Sequence, residues 1–208
     1  MMLPRLIVLT LAIPLPFLAA GAETWLCVSA GGIPKEKLED IASCAAGRIR
    51  LDGFSFSSNA RRIKVGGGDT GLGPGLKFTD RMKVGDSNSE TWKVQYQVTV
   101  ASPGFLIDAV GLLVTARDWK NGNGSMYTYL CIAGAFETAL QSGSCSGTLF
   151  TVPLNPSAKD ASSSAITSFT GVASLWVLDA ISLNSRGQQL EVVSVGNQFR
   201  LIPVPRPQ

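Results

Sequence analysis

Strict alternation of apolar and polar residues over residues 91–100, TWKVQYQVTV, constrains the fold more than any other feature of the sequence. Trp92, Val94 and Tyr96 fall on one face of an extended chain, whereas lysine, glutamine and threonine side chains fall on the other. A period of two over this length predicts a β-strand with one buried face and one solvent-exposed face. Such a strand needs neighbouring strands and a second layer that covers its apolar face.

Strand-like segments separated by Gly, Ser, Asn and Pro fill most of the remaining chain, about eight to ten in all. One of them, residues 49–56, breaks its alternation at Gly53, which predicts a β-bulge. The half-glycine stretch at residues 65–76 predicts a flexible hairpin connection. The helices that parallel crossovers require are missing. We therefore predict an all-β fold, a two-sheet antiparallel β-sandwich of jelly-roll-like type.

One short N-terminal helix is predicted over residues 33–47, IPKEKLEDIASCAAG. Pro34 suits the first turn of a helix. Leu38, Ile41 and Ala45 recur at intervals of three and four residues, and Gly47 is a suitable helix end. We expect this helix to cover one end of the sandwich.

The N-terminal residues have the pattern of a secretory signal peptide. Arg5 precedes an apolar run, and small residues follow in an Ala-x-Ala arrangement. The run is shorter than the ~20 residues that a membrane span needs. We predict a signal peptide over residues 1–22, a single sandwich domain over 23–202 and a Pro-rich stub over 203–208. The expected location is secreted, periplasmic or cell-surface, with no membrane span in the mature chain.

The cysteine content agrees with export, because an oxidising compartment favours disulfides. The chain has four cysteines, Cys27, Cys44, Cys131 and Cys145. Three connectivities are open, and we favour Cys27–Cys44 and Cys131–Cys145 because they close the shortest loops. Each would stabilise the fold by ~3 kcal/mol in the chain-entropy description. A zinc site fits poorly, since the spacings are wrong and the chain has no histidine.

The absence of histidine also excludes Ser-His and Cys-His nucleophile pairs. A formal net charge of +3 is too weak to indicate nucleic acid as a partner. We predict no enzymatic activity, cofactor or metal. A paired-carboxylate glycosidase stays formally open through Asp108, Asp118, Asp179 or Glu191, although nothing singles out two of them. Asp108 and Asp179 lie in apolar strands, so each needs a partner such as loop backbone or Arg117.

Three aromatic residues flank the turn at NGNG and are candidates for sugar stacking. They are Trp119, Tyr127 and Tyr129. Aromatic residues near strand ends stack on sugars in many sandwich-type carbohydrate binders, but they are more often residues at the edge of a core. A carbohydrate-binding module that recognises exopolysaccharide is therefore the alternative prediction. The other tryptophans, Trp25, Trp92 and Trp176, are expected in the core.

A series of short motifs runs in order along nearly the whole mature chain. It comprises a cysteine followed by SCAAGRIRLDGFSFSS, then GPGLKF, VQYQVT, FLIDAVGLLV, CIAGAF…CSG and SLWVLDAISL…VSVGNQF. This order resembles a recurring type of bacterial PEP-CTERM protein, the exported proteins that exosortase sorts. The resemblance implies a non-enzymatic cell-surface or extracellular-matrix domain of the cell envelope. Its expected partners are exopolysaccharide or envelope proteins, and nucleic acid is not expected.

The C-terminal residues depart from that family. There the NQF motif leads into VPEP, a membrane helix and an arginine cluster, whereas this sequence reads LIPVPRPQ, with Arg206 in place of the glutamate. We expect a sorting signal that is degenerate or truncated, and hence a freely secreted or periplasmic product.

Overall fold

Twelve β-strands and three 3-10 turns make up the part of the chain that the computed structural model describes, residues 25–69, 72–85, 87–117, 122–154, 161–187 and 189–204. The strands are β1 (Trp25–Val28), β2 (Ser43–Ala46), β3 (Ile49–Phe56), β4 (Lys64–Asp69), β5 (Pro74–Val84), β6 (Ser89–Val100), β7 (Phe105–Arg117), β8 (Gly122–Ile132), β9 (Thr148–Leu154), β10 (Ala161–Val172), β11 (Ser174–Ser185) and β12 (Leu190–Pro203). The 3-10 turns span Leu38–Asp40, Ser58–Ala60 and Ser142–Ser144.

The strands form two antiparallel sheets. One has seven strands in the order β1-β2-β3-β6-β11-β8-β9, and the other has five in the order β10-β7-β12-β5-β4. Beyond β5 the chain changes sheet at every connection except the one from β8 to β9. The prediction of an all-β, two-sheet antiparallel sandwich is confirmed, with more strands than the sequence pattern suggested.

The core lies between the two sheets, and β6 contributes to it as predicted. Trp92 and Val94 are each 2% exposed, and Tyr96 is fully buried. Across the core, the ring of Tyr96 meets that of Phe78 on β5 edge to face, with centroids 6.1 Å apart. The buried side chains of both sheets form one hydrophobic cluster, whose removal from water is the main stabilising term of the fold.

The predicted helix over residues 33–47 is wrong. This segment contains the 3-10 turn at Leu38–Asp40 and the strand β2 instead. Cys44 lies directly opposite Cys27 in the β1–β2 ladder, so the segment must be extended where the two strands pair. An isolated helix of this length is marginal in water. Strand pairing and burial of Leu38 and Ile41 therefore prevail over the helical periodicity.

The sequence predictions for two glycine-containing segments have different outcomes. At Gly53 the β3–β6 register shifts and φ is +65°, so the predicted bulge is confirmed. A Cβ at Gly53 would lie 2.9 Å from Cη2 of Trp176, which packs against it. By contrast, Gly66 and Gly67 are not in a flexible connection, because both lie within β4 and pair with β5.

Both disulfides have the local pairing that the sequence analysis favoured. Cys27–Cys44 joins β1 to β2, and Cys131–Cys145 joins the end of β8 to the segment before β9. None of the described residues forms a helix long and apolar enough to cross a membrane. Residues 1–24 and 205–208, which include the predicted signal peptide and most of the Pro-rich stub, lie outside the described residues.

Candidate functional site

A disulfide-bonded loop, residues 133–147, packs onto the outer face of the seven-stranded sheet. Phe136 of this loop, Cys131 and Leu178 are buried together and form a second hydrophobic cluster. Tyr129, Leu140, Cys145 and Trp176 pack against this cluster. The outer face is therefore covered near the Cys131–Cys145 disulfide and becomes accessible only farther along β8 and β11.

This loop explains why the outer face of β6 departs from the prediction of a solvent-exposed face. Gln95 is only 4% exposed, and its Oε1 accepts a hydrogen bond of 2.8 Å from the backbone N–H of Leu140. Lys93 donates from Nζ to the Leu140 carbonyl at 3.1 Å. Trp176, which was expected in the core, lies on this outer face and is half-buried.

Two of the predicted aromatic residues stand side by side where the covered part of the outer face ends. The rings of Tyr127 and Tyr129 stack with centroids 5.8 Å apart and an interplanar angle of 25°, and both are half-buried. Tyr129 packs against the second hydrophobic cluster on its other side. The third predicted aromatic residue, Trp119, lies outside the described residues.

A set of small polar side chains continues the outer face beyond the tyrosine pair. Strand register places Ser182 of β11 opposite both Thr91 and Ser125, and the next outward row aligns Asn184 with Ser89 and Asn123. We call these six residues, Ser89, Thr91, Asn123, Ser125, Ser182 and Asn184, the polar strip. They line a shallow groove of about 360 Å³.

The tyrosine pair and the polar strip together form an elongated surface. Every second residue of a β-strand lies on the same face of the sheet. The outward face of β8 therefore carries Asn123, Ser125, Tyr127 and Tyr129. At ~3.4 Å per residue, this series spans ~20 Å. Thr91 and Ser182 hydroxyls hydrogen-bond each other at 2.9 Å, so the strip is partly ordered by its own contacts.

Asp108, one of the two strand carboxylates, forms an ion pair on the five-stranded sheet. Arg200 of β12 donates from Nε and a terminal nitrogen to its two carboxylate oxygens, at 2.8 and 2.9 Å. The partner is thus Arg200 rather than Arg117, which is exposed at the end of β7. This bidentate pair gives each oxygen of the partly buried carboxylate a charged hydrogen-bond donor.

Asp179, the other strand carboxylate, lies inside the core in a polar network that joins the two sheets. It accepts hydrogen bonds from Thr128 on β8 and from Asn197 on β12, and the Tyr96 hydroxyl lies 3.5 Å from its Oδ2. The Asn197 amide also donates to the Tyr96 hydroxyl at 2.8 Å. Burial raises the pKa of Asp179 to about 6, although these hydrogen bonds lower it from what burial alone would produce.

The three candidate carboxylates that the structure describes, Asp108, Asp179 and Glu191, do not meet in one cleft. Asp179 is 1% exposed and closed off between the sheets, whereas Asp108 is engaged by Arg200. Glu191 sits at the far end of the β12–β7 ladder from Asp108, and Asp118 lies outside the described residues. Among the described residues, no group of three or more His, Cys, Asp or Glu side chains is arranged to hold a metal ion.

The polar strip was not predicted from the sequence, although β11 carries a signal for it. The outward residues of β11 change from Trp176, Leu178 and Ala180 to Ser182 and Asn184, whereas its inward residues stay mostly apolar. The first half of β11 is thus apolar on both faces, and the second half is apolar on one face only. This pattern is typical of a sheet that is packed on both faces at one end and exposed to solvent on one face at the other end.

No family model matches the chain, and no curated protein is significantly similar to it. Among solved structures, TmCBM61 in complex with β-1,4-galactotriose aligns at 10% identity and a TM-score of 0.38, over 73% of this chain and 89% of the other. A mutant of the family 29 carbohydrate-binding module CBM29-2 aligns at 10% identity and a TM-score of 0.25, over 82% and 89%.

The enzymatically active domain of the bacteriophage CBA120 tailspike protein 4 aligns at 9% identity and a TM-score of 0.30, over 73% of this chain and 19% of the other. At these identities and TM-scores, nothing about a ligand or an activity follows from the alignments.

Proposed function

We propose that this protein is a non-enzymatic carbohydrate-binding domain whose glycan site is the outer face of the seven-stranded sheet. The observation that carries this proposal is the stacked Tyr127–Tyr129 pair beside the polar strip. An apolar platform next to hydrogen-bonding side chains matches the two chemical characters of a sugar ring, which has C–H groups on its face and hydroxyls at its rim.

The stacking order on β8 defines where a sugar ring would bind. Tyr129 packs against the second hydrophobic cluster and Tyr127 stacks on Tyr129. The next outward residue on the other side of Tyr127 is Ser125. A pyranose ring that uses the remaining face of Tyr127 would therefore lie above the polar strip. The electron-rich ring face favours contact with the slightly positive C–H groups of the sugar.

The polar strip supplies hydrogen bonds that suit sugar hydroxyls. Serine and threonine hydroxyls both donate and accept, and asparagine amides offer one acceptor and two donors. Thr91, Asn123 and Asn184 are exposed, whereas Ser125 and Ser182 are half-buried. An open, shallow groove with this lining favours a polymer that lies along the surface over a small molecule that needs an enclosed pocket.

The platform is held in place before any ligand binds. The Cys131–Cys145 disulfide anchors the loop, and the loop in turn bonds to Gln95 and Lys93. Tyr129 packs against this assembly, so little side-chain freedom is lost on binding. Preorganisation of this kind improves affinity because it lowers the entropic cost of association.

We also propose that the protein is exported and belongs to the PEP-CTERM type, with the extracellular polysaccharide matrix as its setting. The two disulfides support export, since such bonds persist in oxidising compartments. The family assignment rests on the ordered sequence motifs. An envelope protein as partner is the alternative, which a test of glycan binding distinguishes.

Affinity electrophoresis tests the proposed glycan site, with gels that contain neutral β-linked glucans, mannans or galactans. The parent protein is expected to be retarded by at least one polymer, and Tyr127→Ala to lose roughly fivefold or more in affinity, the equivalent of ~1 kcal/mol. Ile166→Ala is the matched control, because Ile166 is 61% exposed on the other sheet. Absence of retardation in every gel, or equal retardation of Tyr127→Ala, would contradict the proposal.

A further inference from the structure

A second groove, of about 520 Å³, lies at the opposite edge of the sandwich from the tyrosine pair. It runs between β1, the edge strand of the seven-stranded sheet, and β4, the edge strand of the five-stranded sheet. Residues 34–37 form part of its wall. Backbone bonds hold this wall in place, since the Val65 N–H donates to the Glu36 carbonyl at 2.7 Å.

An indole ring forms the apolar part of this groove. Trp25 is half-buried and lies directly on the backbone of Gly67, where a Cβ would overlap the indole ring. Gly66 beside it has open space in the direction of a side chain. The lack of side chains at Gly66 and Gly67 thus lets the indole lie on β4, and the half-buried ring remains partly accessible to a ligand.

Three lysines line the same groove. Lys37 and Lys64 are directly opposite each other in an isolated β-bridge, and Lys35, two residues before Lys37, lines the same groove. Within the described residues, none of the three forms an ion pair with a carboxylate. Like charges placed opposite each other destabilise a strand pair, so an anion between them would relieve this repulsion.

We propose that this groove is a second glycan site and that it binds an anionic polysaccharide with carboxylated sugars. The lysines would bind the carboxylates, and Trp25 would stack on the apolar face of the sugar ring. Glu36 and Asp40, which also line the groove, would accept hydrogen bonds from sugar hydroxyls. An acidic peptide also matches the lysines, but it has no ring face for the indole, so the uronic-acid polymer is favoured.

The two sites differ in chemistry and in position. β1 and β8 are five strands apart in the seven-stranded sheet, which corresponds to ~24 Å at the usual strand spacing. A long polymer that engaged both sites would gain affinity through its effective local concentration, without new contacts. We call this groove the lysine groove and the proposed site at the tyrosine pair the neutral-glycan site. The two sites share no residues, so the proposal for the lysine groove does not depend on the proposal for the neutral-glycan site.

Isothermal titration with polygalacturonate and with alginate tests the lysine groove. We expect binding that weakens at least tenfold in Lys37→Gln/Lys64→Gln, falls with added NaCl because salt screens the charges, and weakens for methyl-esterified polygalacturonate. Lys83→Gln/Arg186→Gln, which removes two positive charges from exposed residues outside the groove, is the charge-matched control. Gly67→Ala, which displaces the indole without changing charge, is expected to weaken binding as well.

Three results would overturn the proposal. The first is no binding of either acidic polymer by the parent protein. The second is unchanged affinity in Lys37→Gln/Lys64→Gln. The third is binding of poly-L-glutamate at equal strength that Gly67→Ala leaves unaffected, which would identify an acidic protein surface as the partner. Tyr127→Ala is titrated in parallel and is expected to retain at least part of the parent protein's binding to the uronate polymers. This comparison separates failure of the lysine groove from failure of the neutral-glycan site.

Discussion

Replacing Asp179 by asparagine is expected to flatten the pH dependence of stability. The carboxyl of Asp179 has a pKa of about 6 in the folded protein, against a value of 3.8 for a solvated aspartate. The folded state therefore binds a proton more tightly than the unfolded state does. Linkage then requires a stabilising contribution that is fully present below pH ~4 and is lost as the pH rises through ~6.

The size of the effect follows from the shift in pKa. At about 1.4 kcal/mol per pKa unit, a rise from 3.8 to about 6 corresponds to ~3 kcal/mol between the two limits. Asparagine has nearly the same shape and does not ionise. Its amide would face the Asn197 donor, and this contact changes the stability by an amount that does not depend on pH. The diagnostic quantity is therefore the slope of the unfolding free energy against pH.

Urea unfolding of the oxidised protein, followed by tryptophan fluorescence from pH 4 to pH 8, measures this slope. The unfolding free energy of Asp179→Asn minus that of the parent is expected to rise by ~2–3 kcal/mol across this range. All other titrating groups are common to both proteins and largely cancel in the difference. Parallel curves, or a difference that falls with pH, would refute the assignment of a raised pKa to a buried Asp179.

Two further predictions follow from the packing of the outer face. Gly53→Ala places a Cβ at a φ of +65° and 2.9 Å from Trp176, so we expect destabilisation of ~1–2 kcal/mol in urea; an unchanged midpoint would show that the bulge relaxes freely. Cys131→Ser/Cys145→Ser removes the anchor of the loop, with an expected loss of ~2–5 kcal/mol and weaker glycan retention below the unfolding temperature. Retention equal to that of the parent would mean that Tyr129 does not need the loop.

The sheet architecture was predictable because its signals are local. The alternation of Trp92, Val94 and Tyr96 specifies which face of β6 is buried, whatever the neighbouring strands are. Gly53 likewise marks its own bulge. The spacing of Leu38 and Ile41 led to a wrong helix prediction. The same buried residues, together with the disulfide partner Cys44, are equally compatible with a 3-10 turn followed by a hairpin.

The candidate site was only partly predictable because it depends on contacts between distant segments. Gln95 is buried by a loop some forty-five residues away in sequence, which the alternation of β6 does not reveal. The polar strip exists only because the register of β11 aligns Ser182 with Thr91 and Ser125. Register is set by the whole sheet, so residue types alone identified the tyrosines but not the groove beside them.

The most direct test of the central claim is an NMR titration of the ¹⁵N- and ¹³C-labelled protein with soluble oligosaccharides of β-linked glucans, mannans and galactans. We predict saturable shifts for the ring of Tyr127 and for the amides of Ser125 and Ser182, with the residues of β10 on the other sheet unaffected. Shifts confined to any other surface, or no shifts with any of the oligosaccharides, would contradict a glycan site on the outer face of the seven-stranded sheet.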